Sequence, residues 1–186
     1  MIYSPGRFAF IHQPRTGGTS VVRSVMQASP EDTTSVQGIL TIPGTTVWKH
    51  SRAVDLFRFP GWEHAFKWSI ARSPWDVLES EWSFWHRQIQ RLQETNGKCR
   101  KGHGVEGRFW DRAELVSGQD FETYCRHQYR QLKPGSGRWR WWCCGMLGEE
   151  LGVEPVLYAE LQAQWPELCD RMGIPPVPLQ HVNGFG

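Results

Sequence analysis

One stretch, FAFIHQPRTGGTSVVRSV at residues 8–25, constrains the fold more than any other part of the chain. Its apolar beginning predicts a buried strand over 7–12, and the apolar spacing after the two glycines predicts a helix over 19–28. Consecutive backbone N–H groups at the start of a helix form a concave nest for an oxyanion. The stretch therefore predicts an anion-binding loop between a strand and a helix.

The residues of this loop indicate which kind of anion it holds. Gly17 and Gly18 allow a tight turn and a close approach to the ligand, because no Cβ intervenes. Arg15 can reach over an anion with its planar guanidinium, and hydroxyl donors follow at Thr19 and Ser20. The loop GxxxxGK[ST] of nucleotide-binding proteins needs a lysine where this chain has Thr19. We therefore expect an anion handled without magnesium; the alternative is an ordinary strand–turn–helix connection.

Strands and helices alternate along the chain, which predicts an α/β fold around a parallel sheet in a single domain over 1–186. Further strands are expected at 45–50, 66–71 and EPVLYAEL, and further helices at 51–59, 120–132, RWRWWCCGMLGEEL and QAQWPELCDRMGI. The clearest helix has Ser73 as N-cap, Pro74 at its first position and Asp76 at N3. It is expected to end near 95–97, and residues 30–45 are expected to be mostly loop.

The loop FIHQPRTGGTS resembles the 5′-phosphosulfate loop of sulfotransferases that use 3′-phosphoadenosine 5′-phosphosulfate (PAPS). It is most similar to the carbohydrate type related to the Golgi enzymes (heparan-sulfate 2-O-like), whose loop reads F-x-H-x-P-K-T-G-G-T-S. Arg15 replaces that lysine, which bridges the leaving phosphate and the sulfuryl group; arginine keeps the charge but changes geometry and reach. The resemblance implies a P-loop-like three-layer sandwich with a central parallel sheet flanked by helices. The donor contacts that it implies are Arg15, Thr16, Gly17, Gly18, Thr19 and Ser20.

Three further segments resemble the same family. FKWSIARSPWDVLESEW resembles the 3′-phosphate segment F-x-F-x-x-V-R-N-P-W-D-R-x-x-S, which implies that Arg72 and Ser80 bind the 3′-phosphate. This chain has Ser73 and Val77 where the family has Asn and Arg. WKHSRAVDL resembles the segment K-H-x-x-A, which implies that His50 is the catalytic base. Near the end, VLYAELQAQWPELCDRMGI and LQHVN resemble a strand, an E-x-L segment, a helix and an L-P-H-x-N tail.

The resemblance covers most of 7–183, least across 95–150, and implies a metal-independent sulfotransferase. The sulfuryl group would pass in line from PAPS to an acceptor hydroxyl, of a carbohydrate or a small molecule, with release of 3′,5′-ADP (PAP). Arg15 and the amides of 16–20 would stabilise charge on the leaving phosphate, and His50 would accept the acceptor's proton. The alternative is a non-catalytic PAPS- or nucleotide-binding protein of the same fold, which the arginine in the loop motivates.

Composition narrows the class of protein. A formal net charge of +2 is too small to argue for a nucleic-acid partner. The start of the chain lacks a basic region before a long apolar run, and no run approaches the length of a membrane span, so neither a signal peptide nor a span is expected. The cysteines lack CxxC spacing, which predicts a reduced, cytoplasmic protein without structural disulfides or zinc. They are Cys99, Cys125, Cys143, Cys144 and Cys169.

Other residues have both a functional and a structural interpretation. His12 follows the first strand and either orients the site or packs, and His64, His103 and Glu63 are spare candidates for the base or for acceptor contact. The basic loop 98–108 either recruits an acidic glycan or is an insertion. RWRWW at 138–142 either binds an anionic polymer or packs as one helix face. The tryptophans that either stack on a ligand or fill the core are Trp48, Trp62, Trp68, Trp75, Trp82 and Trp85.

Two further classes of protein are alternatives to the sulfotransferase and to the non-catalytic binding protein. A small-molecule kinase with a degenerate loop would need magnesium-dependent ATP binding, and the missing loop lysine argues against it. A nucleic-acid binder that uses its tryptophans and arginines would lose affinity steeply with salt. The nearly neutral charge of the chain argues against that class.

Overall fold

The structure is a computed structural model that describes residues 1–29, 31, 33–35, 39–42, 45–57, 59–95, 108–131, 142–144 and 149–180. The chain falls into two compact units, Met1–Arg72 with Ser136–Gly186 and Ser73–Gly135. The strands belong to the first unit, and the elements described in the second unit are helices. The expectation of a single domain stays a prediction.

The architecture is α/β, as expected. In chain order the elements are β1 (Ile2–Ser4), β2 (Phe8–Ile11), α1 (Gly18–Ala28), β3 (Thr34–Ser35), β4 (Ile39–Ile42), β5 (Thr45–Trp48), α2 (Ala53–Leu56), β6 (Phe66–Ala71), α3 (Pro74–Glu94), α4 (Arg108–Ser117), α5 (Phe121–Gln131), β7 (Glu154–Leu157) and α6 (Leu161–Arg171). The expected strand at 66–71 and the expected helices around 19–28 and 120–132 are confirmed.

The main sheet is mixed rather than purely parallel. Within the described residues it has five strands in the order β3-β1-β2-β6-β7. β2, β6 and β7 run parallel, whereas β1 is antiparallel to both of its neighbours. The expectation of a parallel sheet is therefore wrong at this edge. The cause is a tight turn between β1 and β2, in which Gly6 has a φ of 68° and the Arg7 N–H donates to the Ser4 carbonyl.

Both faces of β2 are covered within the first unit, because its side chains alternate between two apolar clusters. Phe8 and Phe10 belong to the cluster that α1 and α6 complete. Ala9 and Ile11 belong to the other cluster, which includes Val47 of β5 and residues of α2. The carboxyl end of β2 is thus fixed from both sides, and this is where the predicted anion loop begins.

The predicted N-cap of α3 is confirmed, whereas the predicted loop at 30–45 is partly wrong. Ser73 is the N-cap of α3, but its side chain makes no cap hydrogen bond. The N-cap of α2 is Arg52, whose backbone N–H donates to the Asp55 carboxylate at 2.9 Å. Part of the expected loop at 30–45 is strand, since β4 and β5 form a two-stranded antiparallel sheet.

The second unit has its own apolar core. An apolar stripe on α3 faces this core, because Trp85 is buried there against Ala113 and Val116 of α4 and Tyr124 of α5. The other members of the stripe that pack on this core are Leu78, Trp82, Ile89 and Leu92. No helix in the described ranges combines the length and the apolar character needed to cross a bilayer.

Some predicted features lie outside the described residues. They are most of the basic loop at 98–108, including His103, four residues of RWRWW at 138–141, and the HVN of the tail segment from 181 onward. Trp142, the last residue of RWRWW, is described.

Candidate functional site

The loop between β2 and α1 has an unusual backbone. Arg15 has a φ of 67° and Gly17, the N-cap of α1, a φ of 88°. A left-handed backbone costs a residue with a side chain about 1–2 kcal/mol, and such strain is concentrated at functional sites. The hydroxyl of buried Thr16 donates to the Gln13 carbonyl at 2.9 Å and so braces the turn. Thr16 therefore offers a ligand its amide rather than its hydroxyl.

The first turn of α1 supplies backbone donors for an anion. The first N–H groups of a helix have no intrahelical acceptor, and here they belong to Gly17, Gly18 and Thr19. The Ser20 N–H donates to the Gly17 carbonyl at 3.0 Å and is therefore engaged within the protein. The backbone donors predicted for the anion at 16–20 are thus reduced to those of 16–19.

A buried polar network ties this loop to β6. The Ser69 hydroxyl donates to the Ile11 carbonyl at 2.7 Å, and Nε2 of Gln13 donates to the Ser69 oxygen at 3.1 Å. Nε2 of Gln13 also lies 3.6 Å from Sγ of Cys143. None of the three side chains, those of Gln13, Ser69 and Cys143, was predicted from the sequence as part of the site. The available signal was a serine that interrupts the apolar run FKWSIA, because a hydroxyl in a buried strand needs a partner.

The two loop glycines are required by packing inside the protein. A Cβ at Gly17 would lie 2.7 Å from Cε2 of Tyr158, and a Cβ at Gly18 would overlap Cδ2 of the His12 ring. The expected reason for the glycines, close approach to a ligand, is therefore not needed to explain them. His12 is buried and packs against the start of α1, which favours the packing interpretation of this residue.

His50 lies beside the loop and is oriented by it. Its Nδ1 is 2.8 Å from the His12 carbonyl oxygen, and the two imidazole rings meet at 4.6 Å between centroids. A carbonyl oxygen only accepts, so Nδ1 carries the hydrogen and Nε2 holds the lone pair of the neutral ring. His50 thus has the tautomer that a general base needs.

Both histidines are neutral at pH 7. Burial lowers the pKa of His50 to about 4, the His12 carbonyl opposes that shift, and the charges of Lys49 and Arg15 add to it. Burial also lowers the pKa of His12, to about 2. The pKa of Lys49 is itself lowered, by burial and by the charges of Arg15 and Arg23. Several cations therefore surround the loop while its imidazoles stay uncharged.

Arg72 approaches the same loop from the end of β6. Its Nη1 donates to the Arg15 carbonyl at 3.3 Å, and its guanidinium carbon lies 4.6 Å from the centre of the Tyr158 ring. The Tyr158 N–H donates to the Ala71 carbonyl at 2.8 Å, so the ring that supports Arg72 is fixed to β6. Tyr158 is a further site residue that sequence reasoning missed.

The first unit thus brings together Arg15, His50 and Arg72 of the sequence-predicted site residues. Ser80 is buried in α3 of the second unit, and its pairing with Arg72 stays a prediction. Glu63 and His64 follow the Gly61 turn that precedes β6, at the amino ends of β2 and β6 and therefore away from the loop. A cavity of about 520 Å³ beside the β1–β2 turn lies at that same far end; its lining includes Ser4, Arg7 and Thr33.

Comparison with known proteins gave no relative. No protein-family model, curated protein or solved structure matches this chain. Among the described residues there is no group of three or more His, Cys, Asp or Glu side chains that could hold a metal ion.

The contact between His12 and Gly18 makes a stability prediction. We expect Gly18→Ala to lower the free energy of unfolding by about 1–3 kcal/mol, because the new methyl group overlaps the His12 ring. Gly118→Ala is the matched control, since its Cβ would meet only carbonyl oxygens at 3.9 Å. Urea denaturation measures both. In a His12→Ala background the cost of Gly18→Ala should shrink, and an equal cost in both backgrounds would contradict the contact.

The neutral histidines predict acid lability. An unfolded histidine has a pKa of about 6.5, so between pH 6.5 and 4 the unfolded chain binds protons that folded His50 does not. The free energy of unfolding therefore falls as pH falls through this window. We expect His50→Gln to remove about 2 kcal/mol of this fall, measured by urea denaturation at each pH. The exposed His127→Gln is the control, and an unchanged slope in His50→Gln would disprove the assignment.

Proposed function

We propose that this chain is a PAPS-dependent sulfotransferase with a P-loop-like α/β sandwich fold, which moves a sulfuryl group to an acceptor hydroxyl. The observation that carries the proposal is that Arg15, Arg72 and His50 gather where β2 and β6 end. In open α/β sheets, ligands bind outside the carboxyl ends of the strands. The resemblance of four segments to one family agrees with this location.

Donor binding follows from the cations and the helix start. Amides from Thr16 to Thr19 and the side chain of Arg15 would hold the 5′-phosphosulfate, as the loop does in the family it resembles. Lys49, close enough to Arg15 for its pKa to be lowered by that charge, adds positive potential at this end. Arg72 would bind the 3′-phosphate together with Ser80, as the second segment implies.

The reaction divides into proton transfer and sulfuryl transfer. The acceptor oxygen attacks sulfur with a lone pair and forms the new oxygen–sulfur bond. The bond from sulfur to the 5′-phosphate oxygen breaks, and its electron pair leaves with 3′,5′-ADP. The acceptor proton goes to Nε2 of His50. Charge that grows on the phosphate is met by Arg15 and the loop amides, and one such contact is typically worth about 10²–10³ in rate.

The acceptor is proposed to be a carbohydrate or a small molecule in the cytoplasm. Neither a metal nor a nucleic-acid partner is part of the proposal. The alternative, a non-catalytic PAPS- or nucleotide-binding protein, keeps the same donor site and dispenses with the base. The arginine at residue 15 motivates it, because arginine and lysine differ in geometry and reach. The two experiments that follow separate these functions.

Ligand discrimination tests the donor site. We expect 3′,5′-ADP to raise the thermal stability far more than 5′-AMP does, because Arg72 adds a charge-assisted contact to the 3′-phosphate. At a ligand concentration 100 times its dissociation constant, the gain should be about 2.7 kcal/mol. Arg72→Ala should remove most of the difference between the ligands, whereas Arg126→Ala, an exposed control in α5, should keep it. Equal shifts for the two ligands in the wild type would refute the 3′-phosphate assignment.

Turnover tests the base. We expect His50→Gln to bind 3′,5′-ADP as the wild type does and to transfer about 10²–10⁴-fold more slowly. Transfer is measured with labelled PAPS and an extract of candidate acceptors, and the products are read by mass spectrometry. His64→Gln, exposed at the far end of the strands, is the control. Binding of 3′,5′-ADP by the wild type without any labelled product would favour the non-catalytic alternative. Full activity in His50→Gln would show that His50 is not the base.

A further inference from the structure

An exposed indole stands next to the proposed base. Trp48 is 50% exposed, and its ring centre lies 5.5 Å from that of His50, at an angle of 85° between the planes. A tryptophan half in water presents a large flat apolar surface, and the preceding residue, Val47, is fully buried. The exposure of Trp48 therefore does not extend to Val47, the preceding residue of β5.

The backbone of Trp48 is fixed although its ring is exposed. Its N–H donates to the Ser51 hydroxyl oxygen at 2.9 Å, and its carbonyl accepts the Ser51 N–H at 3.0 Å. Ser51 is buried, so this reciprocal pair is shielded from water. The backbone of Trp48 is consequently fixed before any ligand arrives, and its indole rests edge-to-face against His50, which reduces the entropy lost on binding.

A second indole flanks the same imidazole. Trp142 lies 6.4 Å from His50 between ring centres, at an angle of 72°. The next residue, Cys143, is buried and in contact with Gln13 of the anion loop. Two tryptophans on separate segments of the first unit therefore border the base, and aromatic rings of this kind stack well on flat ligands.

The basicity of His50 narrows the acceptor further. Burial lowers the pKa of this imidazole to about 4, which makes it a weak base. A phenol loses its proton with a pKa of about 10, as tyrosine does, whereas an alkyl alcohol resembles water at about 16. A weak base therefore assists an aromatic hydroxyl much more easily than a sugar hydroxyl.

We propose that the acceptor is a phenol whose ring stacks on Trp48 and whose hydroxyl faces His50. This inference deepens the proposed function, and its transfer step rests on that function, but the binding of the ring does not. In the step, the phenol proton passes to Nε2 of His50, the phenol oxygen bonds to sulfur, and 3′,5′-ADP leaves with the electron pair of the broken bond. The product is an aryl sulfate.

A matched pair of probes tests the ring site by binding alone. 4-Propylphenol and 4-propylcyclohexanol share their carbon skeleton and hydroxyl but differ in flatness. We expect calorimetric titration of the whole protein, with and without 3′,5′-ADP, to give about tenfold tighter binding for the phenol. Trp48→Ala should abolish the preference, and Trp48→Phe, which keeps a flat ring, should retain most of it. Trp75→Ala removes another strongly exposed tryptophan, from the second unit, and is the control.

The outcomes separate this inference from the function on which it rests. Equal affinities for the two probes, or a preference that survives in Trp48→Ala, would overturn the phenol site. Tighter binding of methyl glucoside than of 4-propylphenol would overturn it in favour of a sugar acceptor. A phenol preference that depends on Trp48, in a protein that does not bind 3′,5′-ADP, would support the ring site and refute the sulfotransferase.

Discussion

The site depends on one buried hydrogen-bond network between two parallel strands. Ser69 donates to the carbonyl of Ile11 and receives the side-chain amide of Gln13, so the ends of β2 and β6 are joined where the loop begins. Buried polar groups without partners are costly, and this network satisfies three at once. The network therefore holds the start of the loop and Arg72 on one rigid support, because the loop continues directly from β2 and Arg72 directly follows β6.

The electrostatics of the site follow from burial. The same desolvation that keeps His12 and His50 neutral also lowers the pKa of Lys49, so the positive charge of Lys49 beside the loop is held at a cost in free energy. An arriving anion would lower the cost of those charges and would also favour a protonated imidazole. Donor binding and proton acceptance are therefore coupled in the proposed reaction.

The sequence predicted the parts of the fold that periodicity encodes, and it missed the parts that long-range contacts decide. The strand–loop–helix over 8–28 and the strand over 66–71 follow from apolar spacing. β1 was missed because three residues carry too little pattern, yet it makes the sheet mixed. The contact of Gln13 with Ser69 joins positions 56 residues apart, which no local pattern indicates. Resemblance supplied candidates for the site, but the geometry around them came from the structure.

The left-handed backbone at Arg15 limits which residues evolution can place there. Glycine adopts this conformation freely and asparagine at modest cost, whereas a β-branched residue is strongly disfavoured. A lineage that no longer needed the cation would therefore drift most readily to glycine or asparagine and keep the turn intact. Lysine pays about the same backbone cost as arginine, so the conformation gives neither cation an advantage. The choice between the two cations at this position thus reflects what the side chain must reach, independently of how the chain folds.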